Sequence, residues 1–339
     1  MGNNPLVSII VVNFNGKKYL KACFDSLYLG THSNIEIILV DNGSEDASAD
    51  FVRQSYKDIK VVDLKKNLGL AVASNKGFEI AKGKYLLFYN NDTIADRELV
   101  SSLVNACEND PAIGVAGCLT YTYKGEKLIN AGVPCDIFGY PYGKHEPFYV
   151  DASIFIPKDL FGAIGGFDEK MFLYGEDRDL CWRVWLYGRK VKVVKNARFF
   201  HDSACITEDI SKYQTNIRKR FLGEFNALRS ILKNYGLGLI FILPAYIMIN
   251  LAEVVAFLLK GDFKVVRYAY IASYLDNLRD IKGLMFLRKR VQAQRKISDF
   301  ELVGHMDKIP GKLRLLLDMG LPRFSQQNKY AIPSSTCAK

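Results

Sequence analysis

Apolar, largely β-branched runs alternate with segments of helical spacing over the first 120 residues of this 339-residue chain. The near-continuous run at residues 7–12 is typical of a strand that is buried on both faces. Apolar residues then recur at helical spacing from Tyr19 to Leu27. Further strands are predicted at residues 35–40, 59–64, 85–89 and 113–118, with a helix at about 69–81. This alternation predicts an α/β domain in which helices flank a mostly parallel sheet.

Polar residues follow each of the first four predicted strands at the point where the strand ends. Ligands of parallel α/β sheets bind beyond these carboxyl ends. The candidates for a binding site are Asn13, Asn15, Asp41, Ser44, Asn67, Gly69, Asn75 on the next helix, Asn91 and Asp92. Turn chemistry explains any one of them, since Asn, Asp, Gly and Ser are usual turn residues. Four such ends on one rim favour a pocket in which Asp41 accepts from a nucleoside and Asp92 binds Mg²⁺ or Mn²⁺.

Three carboxylates, Glu176, Asp177 and Asp179, stand within four positions at the predicted start of a helix. The helix macrodipole favours negative charge in the first turn, and Asp179 can pair with Arg183 four residues further on. Helix capping and surface pairing therefore explain part of the cluster. The alternative is that a carboxylate directed into a cleft acts as a general base. His201, at the predicted end of a later strand, is either a structural histidine or a ligand.

Charge is unevenly distributed along the chain. From Ile210 onward there are 22 Lys and Arg residues against 9 Asp and Glu, whereas the whole chain has 46 against 36. The first part is therefore slightly acidic and the second part strongly basic. Since no nucleic-acid-binding motif accompanies the basic residues, the predicted partner is an anionic membrane surface and not nucleic acid. The seven cysteines lack CxxC spacing, which predicts reduced thiols rather than a disulfide framework or a zinc site.

An almost wholly apolar segment covers residues 237–259, and its length is sufficient for one membrane span. Basic residues on both flanks, together with Pro244 and Glu253, favour instead a re-entrant segment or a helix that lies in the membrane interface. The remaining alternative is a buried helix that covers the first domain or a dimer interface. An amphipathic helix with a basic face is predicted over residues 263–295, and a flexible polar tail is predicted from residue 321.

Six ordered motifs carry a family resemblance that extends over about residues 5–235. They read VSIIVVNFNG, VDNGS, NLGLAVASNKG, YLLFYNNDT and GGFDE with FLYGEDRDL, followed by a histidine at position 201. In this order they resemble family-2 glycosyltransferases of the GT-A fold, and most closely the rhamnosyltransferase-like branch of cell-envelope and polysaccharide enzymes. The expected domains are a GT-A catalytic domain over residues 1–235, an apolar and basic helical region that associates with the membrane over 236–320, and a flexible tail over 321–339.

The resemblance also implies roles for single residues. It implies nucleoside contacts at Asn15 and Asp41, a nucleotide pocket lined by Asn67, Gly69 and Asn75, a metal ligand at Asp92, a general base at Asp177 or Glu176, and a second metal or diphosphate contact at His201. Of the two carboxylates, Asp177 is the favoured base. The first acidic position of the D-x-D element is Asn90 here, so binding of Mn²⁺ or Mg²⁺ is predicted to depend on Asp92. Residues 202–207, on the acceptor side, follow the family pattern only loosely.

The implied activity is inverting transfer of a sugar, rhamnose or a related hexose, from a UDP- or dTDP-linked donor. The expected acceptor is a hydroxyl of a glycan or of a polyprenyl-linked glycan, reached at the cytoplasmic face of the cell membrane. A nucleotidyltransferase shares the α/β fold but needs a Gly-rich basic loop after the first strand, which residues 13–17 lack. A non-catalytic nucleotide-sugar-binding scaffold at the membrane is the second alternative, and the acidic residues at the predicted site argue against it.

Overall fold

The structure is a computed structural model that describes residues 4–143, 146–201 and 214–324. The chain forms two compact units. Unit 1 comprises Met1–Val133 and Pro147–Ile206, and unit 2 comprises Pro134–Glu146 and Thr207–Lys339. The expected domain boundary at residue 235 stays a prediction, and packing divides the chain earlier, near residue 206. The predictions for residues 202–207 and for the tail beyond residue 324 lie outside the described residues.

Unit 1 contains nine strands and six helices among its described residues. They are β1 (Val7–Asn13), α1 (Lys17–Tyr28), β2 (Ile35–Asp41), α2 (Ser48–Ser55), β3 (Lys60–Asp63), α3 (Leu70–Ile80), β4 (Tyr85–Asn90), β5 (Thr93–Ala95), α4 (Leu99–Asn109), β6 (Ile113–Thr122), β7 (Leu128–Asn130), β8 (Ser153–Pro157), α5 (Lys158–Ala163), α6 (Glu176–Leu186) and β9 (Lys190–His201). All five strands predicted from the apolar runs are present, as is the helix predicted at about residues 69–81.

The sheet of unit 1 has the strand order β3–β2–β1–β4–β8–β6–β9–β5, and β7 pairs with β6. β1 pairs in parallel with β2 and β4, and β2 pairs in parallel with β3. β8 runs antiparallel to both of its neighbours, β4 and β6. The α/β class is therefore confirmed, with a parallel first half and a mixed second half of the sheet. An apolar run indicates a buried strand but carries no sign of its direction, so the pattern could not reveal the antiparallel β8.

Both faces of the central strand β1 are covered, which explains its continuous β-branched run. Successive side chains of a strand point to opposite faces of the sheet. On one face Ile9 belongs to the main core together with Leu20 and Phe24 of α1. On the other face Gly77 of α3 lies so close to Ile10 that a Cβ atom at this position would clash. This glycine allows α3 to pack directly on β1, with the start of the helix at the carboxyl edge of the sheet.

Unit 2 is mainly helical among its described residues. Its elements are β10 (Gln214–Thr215), α7 (Ile217–Asn234), α8 (Leu239–Leu259), α9 (Phe263–Val265), a π-helical segment (Val266–Ile271), α10 (Ala272–Arg279), α11 (Ile281–Gln294), α12 (Asp299–Gly304), α13 (Gly311–Met319) and β11 (Arg323–Phe324). The predicted helix over residues 263–295 is interrupted at Asp280. The carboxylate of Asp280 lies 2.9 Å from the Arg229 guanidinium of α7 and ties the chain to that helix where α10 ends.

The apolar segment of the sequence forms the helix α8. Within the described part of the chain, α8 is the one helix that is long and apolar enough to cross a membrane, with a mean hydropathy of 2.1. Pro244 lies inside this helix without ending it. Length and composition are equally compatible with a span, an interfacial helix and a core helix.

Candidate active site

One buried amide joins three strand ends at the carboxyl edge of the sheet. Asn13, the last residue of β1, donates from Nδ2 to Asp41 Oδ1 and to Ser44 Oγ, each at 3.1 Å. Its Oδ1 accepts a hydrogen bond of 2.6 Å from Asn91 Nδ2. Asparagine suits this position because its side chain donates and accepts at the same time. Of the candidates, Asn13, Asp41, Ser44 and Asn91 are therefore brought together, as the strand-end argument predicts.

Ser44 fixes the turn that follows β1 as well. Its Oγ accepts from the Asn15 amide at 2.9 Å, and Asn15 Oδ1 accepts from the Glu45 amide at 2.8 Å. Asn15 has φ +54°, a left-handed conformation that Asn tolerates better than most residues. The second oxygen of Asp41 accepts from the Ser44 amide at 3.0 Å. The two loops after β1 and β2 are thus cross-linked into one rigid wall.

Asn42 is a part of this wall that the sequence analysis did not single out as a site residue. It is buried, and its Nδ2 donates to Asn67 Oδ1 at 3.0 Å while its Oδ1 accepts from the Leu68 amide at 2.9 Å. Asn67 Oδ1 also accepts from the Gly69 amide at 3.0 Å. The segment after β3 is therefore held against the end of β2. Asn42 stands in the same Asp-Asn-Gly-Ser turn as Asp41 and Ser44, so the strand-end signal applied to it equally.

Gly69 and Asn75 connect the start of α3 to the segment that precedes α6. Gly69 has φ +90°, and a Cβ atom there would lie 2.6 Å from the Phe172 carbonyl oxygen. The next amide, that of Leu70, donates to this carbonyl at 2.8 Å. Asn75 exchanges two hydrogen bonds with the backbone of Phe167, at 3.0 and 2.9 Å. The side chain of Asn75 thus holds the turn at residues 165–167, and its predicted place in a nucleotide pocket stays a prediction.

Asp92 and His201 form a carboxylate–imidazole pair, with 3.1 Å between Asp92 Oδ1 and His201 Nε2. β5 and β9 pair so that Thr93 lies opposite His201, which explains how distant residues meet. In the part of the chain that the structure describes, no three His, Cys, Asp or Glu side chains are grouped to hold a metal ion. The pair nevertheless fits Mn²⁺ or Mg²⁺, because such ions take one or two protein ligands and fill the remaining positions with water and substrate phosphates.

Glu176 begins α6, after Gly175 has turned the chain with φ +104°. Its carboxylate is buried, and among the described residues Oε2 has no hydrogen-bond partner. Burial raises the pKa of Glu176, and the neighbouring charge of Asp177 raises it further. A carboxyl group in these surroundings holds its proton well above the pH at which an exposed one releases it.

Asp177 and Asp179 have different surroundings on the same helical turn. Asp177 is half-buried, and its Oδ1 accepts from the Arg178 amide at 2.6 Å. Burial raises the pKa of Asp177, and the charge of Asp151 adds to this effect. Asp179 is fully buried and pairs with Arg183 at 2.9 Å, which confirms the predicted pairing four residues apart but places it in the interior. Structural pairing therefore accounts for Asp179, and a catalytic role for Glu176 or Asp177 stays a prediction.

Asp151 is an acidic residue of this edge that the sequence analysis missed. It precedes β8, and its Oδ1 accepts from Asn130 Nδ2 at 2.7 Å. Burial raises the pKa of Asp151, whereas the nearby His201 lowers it. Since Asp151 also acts on Asp177, it links the two candidate groups electrostatically. β8 is antiparallel, so its beginning lies at the edge where the parallel strands end, and a strand-end search that assumes parallel direction overlooks it.

The matches to known proteins agree with this arrangement. Residues 8–165 match the family described as Glycosyl transferase family 2. Residues 8–165, just under half of the chain, are therefore similar to family-2 glycosyltransferases. The family expected from the motifs is therefore confirmed, whereas its rhamnosyltransferase-like branch stays a prediction.

Relatives of this glycosyltransferase occur in several bacteria. An uncharacterized glycosyltransferase of Rickettsia typhi is 29% identical over 243 residues, which is 67% of this chain and 71% of the relative. The putative glycosyltransferase EpsH of Bacillus subtilis is 40% identical over 233 residues, 63% of this chain and 65% of EpsH. Glycosyltransferase GlyG of Streptococcus pneumoniae is 34% identical over 118 residues, 34% of this chain and 39% of GlyG. The match thus spans less than two thirds of EpsH and GlyG.

Solved structures with the same fold have low sequence identity to the chain. S. aureus TarS 1-349, in complex with UDP, has a TM-score of 0.55 at 13% identity and covers 88% of both chains. The mannosyltransferase PcManGT from Pyrobaculum calidifontis, in complex with GDP-Man and Mn²⁺, has a TM-score of 0.51 at 15% identity and covers 86% of both chains. These likenesses confirm the predicted GT-A fold.

Proposed function

We propose that the enzyme transfers a sugar from a nucleotide-diphosphate donor to a hydroxyl group, with inversion at the anomeric carbon. The observation that carries this proposal is the Asp92–His201 pair at 3.1 Å beside the strand ends, with Asp151 close enough to His201 and to Asp177 to interact with both electrostatically. The GDP-Man in PcManGT and the UDP in TarS support a nucleotide-sugar donor. For this chain, the family motifs favour rhamnose or a related hexose on a UDP or dTDP carrier.

The donor side of the site is the wall of cross-linked strand ends. Asn15 and Asp41 contact the base and ribose, and Asn13 holds Asp41 in place from the interior of the sheet. Because each side chain of this wall is already hydrogen-bonded, little ordering remains to be done when the nucleotide binds. Asn67 and Gly69 line the same pocket through their backbone groups. The backbone of Phe172 packs closely against Gly69 and leaves no room there for a side chain.

Asp92 and His201 would hold Mn²⁺ or Mg²⁺ beside the diphosphate. When bound, the cation supplies positive charge that stabilises the leaving diphosphate. The 3.1 Å between Asp92 Oδ1 and His201 Nε2 is short enough for both atoms to contact one cation. Asn90 in place of the first acidic residue of the D-x-D element leaves Asp92 as the carboxylate of this element.

Asp177 acts as the general base. It accepts the proton of the acceptor hydroxyl while the hydroxyl oxygen forms a bond to the anomeric carbon, and the bond to the diphosphate oxygen breaks on the opposite face. The raised pKa of Asp177 suits this task, since a base works best when its pKa lies near the working pH. Glu176, buried and without a hydrogen-bond partner on Oε2 within the described chain, retains its proton more readily and does not compete for this role.

The acceptor is a hydroxyl of a glycan or of a polyprenyl-linked glycan at the cytoplasmic face of the cell membrane. The apolar α8 and the basic residues after residue 210 support this location, because nucleotide sugars are cytosolic and lipid-linked acceptors are confined to the bilayer.

Calorimetric titration with UDP, dTDP and GDP, with and without Mn²⁺, tests the donor site. We expect one nucleotide to bind in a metal-dependent manner to the wild type and at least tenfold more weakly to the Asp92→Ala variant. The Asp318→Asn variant, changed at an exposed carboxylate outside the site, serves as the matched control. Failure of all three nucleotides to bind would overturn the proposed function and leave the polar strand ends as turns.

A further inference from the structure

The helix α8 has its polar side chains inside and its apolar side chains outside. Tyr246, Asn250, Glu253 and Phe257 are buried, and their spacing places them on one face. The outward face consists of Ile240, Phe241, Met248, Leu251, Val255 and Leu259, each of which is more than half exposed. This is the reverse of a helix on the surface of a soluble protein, where the apolar stripe faces the core.

The buried face of α8 is tied into unit 2 by ion pairs. Glu253 Oε2 lies 2.7 Å from Arg220 Nη2 and 2.7 Å from Lys312 Nζ. Glu224 lies 2.9 Å from Arg220 and 2.7 Å from Lys312, so two cations and two anions balance each other in the interior. Asn250 Nδ2 adds a hydrogen bond of 3.2 Å to Glu224. A transmembrane placement would either break these buried pairs or carry all four charges into the hydrocarbon, and both are strongly unfavourable.

The part of the chain that contains α8 exposes an excess of basic side chains. Over residues 214–324, exposed lysines and arginines outnumber exposed aspartates and glutamates by eleven to three. Four of the nine acidic side chains of this region, Glu224, Glu253, Asp276 and Asp307, are buried and do not offset the exposed cations. A surface that is apolar and cationic together is complementary to a bilayer with anionic headgroups, where both features contribute to binding.

The apolar surface continues beyond α8. Phe257 packs on Tyr270 of the π-helical segment, with ring centroids 6.1 Å apart, so this segment lies beside α8. Ile271, Leu275 and Leu278 follow at helical spacing, and each is exposed. A second row of apolar side chains therefore leads away from the first.

We propose that unit 2 docks on an anionic bilayer through the outward face of α8, with α8 lying in the membrane interface and not crossing it. This inference rests on the membrane location in the proposed function and adds the surface and the mode of contact. The occupant is a lipid bilayer rather than a second copy of the chain, because anionic headgroups would neutralise the excess of exposed cations over residues 214–324, whereas a second copy would add to it.

Co-sedimentation of the full chain with vesicles tests the proposal. One set of vesicles is phosphatidylcholine alone, and the other contains phosphatidylglycerol as well. We expect binding to the anionic vesicles that weakens with salt, and much less binding to the neutral ones. The double variant Phe241→Gln with Met248→Gln should bind to the vesicles at least about tenfold more weakly than the wild type, since two large apolar side chains no longer enter the membrane interface. Lys260→Gln should weaken binding to the anionic vesicles by about fivefold and leave binding to the neutral vesicles unchanged.

Matched controls separate the surface from other effects. Leu29→Gln, which changes an exposed apolar residue of unit 1, should bind vesicles as the wild type does. All variants should keep the nucleotide affinity of the wild type, which shows that they are folded. A wild type that binds vesicles but no nucleotide would overturn the proposed function and keep this inference.

Three results would overturn the docking proposal. The first is recovery of the wild type in the supernatant with both kinds of vesicle. The second is retention on vesicles after washing with alkaline carbonate, which would indicate a spanning helix. The third is a dimer in solution that the double variant abolishes while vesicle binding is unchanged, which would assign the face to a second copy.

Discussion

Glu176 and Asp177 are adjacent in the chain, yet their side chains meet different surroundings. Glu176 is buried, and its Oε2 has no hydrogen-bond partner among the described residues. Asp177 is half-buried, and the negative charge of Asp151 raises its pKa. The family resemblance implies that one of the two acts as a base and favours Asp177, whereas the residue pattern itself does not separate them, because the two positions are adjacent. Burial and neighbouring charge distinguish them in the folded chain.

The Asp177→Asn variant should lose roughly 10²–10⁴-fold in kcat, because the acceptor proton then has no base. Release of nucleoside diphosphate from the donor measures kcat, and calorimetry should show an unchanged nucleotide affinity. Glu176→Gln is the matched control and should retain most of its turnover. The reverse pattern, with an active Asp177→Asn and an inactive Glu176→Gln, would transfer the role of base to Glu176.

The pH dependence of turnover should reveal the influence of Asp151. Since the negative charge of Asp151 raises the pKa of Asp177, the Asp151→Asn variant should lower that pKa. In the wild type, kcat/KM should rise as pH increases through the raised pKa of Asp177. In the Asp151→Asn variant this acidic limb of the profile should therefore lie at lower pH. The profile of Asn130→Ala, which changes a neighbour but leaves the charge, provides the comparison. An identical acidic limb in the wild type and Asp151→Asn would contradict the coupling.

Glu176→Gln should stabilise the folded chain at neutral pH. The pKa of Glu176 is raised on folding, so the native state holds a proton that the unfolded chain releases near pH 4.3, roughly the usual value. The free energy of unfolding is therefore higher at low pH and falls as pH rises from that value through the raised pKa. Thermal unfolding at pH 5 and pH 8 checks this, since the gap between variant and wild type should widen at pH 8. A variant that is equally or less stable at both values would contradict it.

At the scale of single elements, the sequence predicted most of the parallel half of the sheet and little of the mixed half. Buried parallel strands leave apolar runs and polar ends, which is why the sequence predicts a polar site that includes Asn13 and Asp41. Asp151 is not predicted in this way, because it precedes a strand rather than following one. It reaches the same edge since β8 runs antiparallel to its partners β4 and β6, a direction that the residues of β8 do not reveal. Asn75 illustrates the converse case, since an amide at a predicted pocket can serve a neighbouring turn instead.

Gly69→Ala should destabilise unit 1 by roughly 1–3 kcal/mol, because φ +90° disfavours a side chain and a Cβ atom would meet the Phe172 carbonyl. The matched control is Gly223→Ala in α7, where no atom lies within 4 Å of the added Cβ. The same chemical change there should stabilise by about 0.5–1 kcal/mol, since alanine favours a helix. Urea unfolding of both variants measures the two effects, and equal effects at the two positions would contradict the argument.

At the scale of the whole molecule, composition predicts an acidic first part, a basic second part and one long apolar segment. It could not predict that α8 is turned with its polar face inward, because Asn250 and Glu253 look like interruptions of an apolar run until Arg220 and Lys312 are brought to them from distant positions. The pairing explains why a helix of mean hydropathy 2.1 carries a buried glutamate.

Glu253→Gln should destabilise unit 2 by about 3–5 kcal/mol, because one negative charge is removed while two buried cations remain. Thermal unfolding followed by far-UV circular dichroism measures the loss. Glu126→Gln, at an exposed carboxylate, is the control and should change the free energy of unfolding by less than about 0.5 kcal/mol. A loss no larger than that of the control would show that the buried charges do not depend on each other.

The hydrogen bond between the Leu70 amide and the Phe172 carbonyl joins the donor wall to the segment that leads into α6. The bonds of Asn75 to Phe167 tie a second point of the same segment to α3. A ligand that contacts residues 67–70 therefore bears on the same hydrogen-bonded unit as the chain that ends at Glu176. In kinetic terms we expect a compulsory order of addition, in which the nucleotide sugar enters first and the acceptor then meets a base whose position is already set.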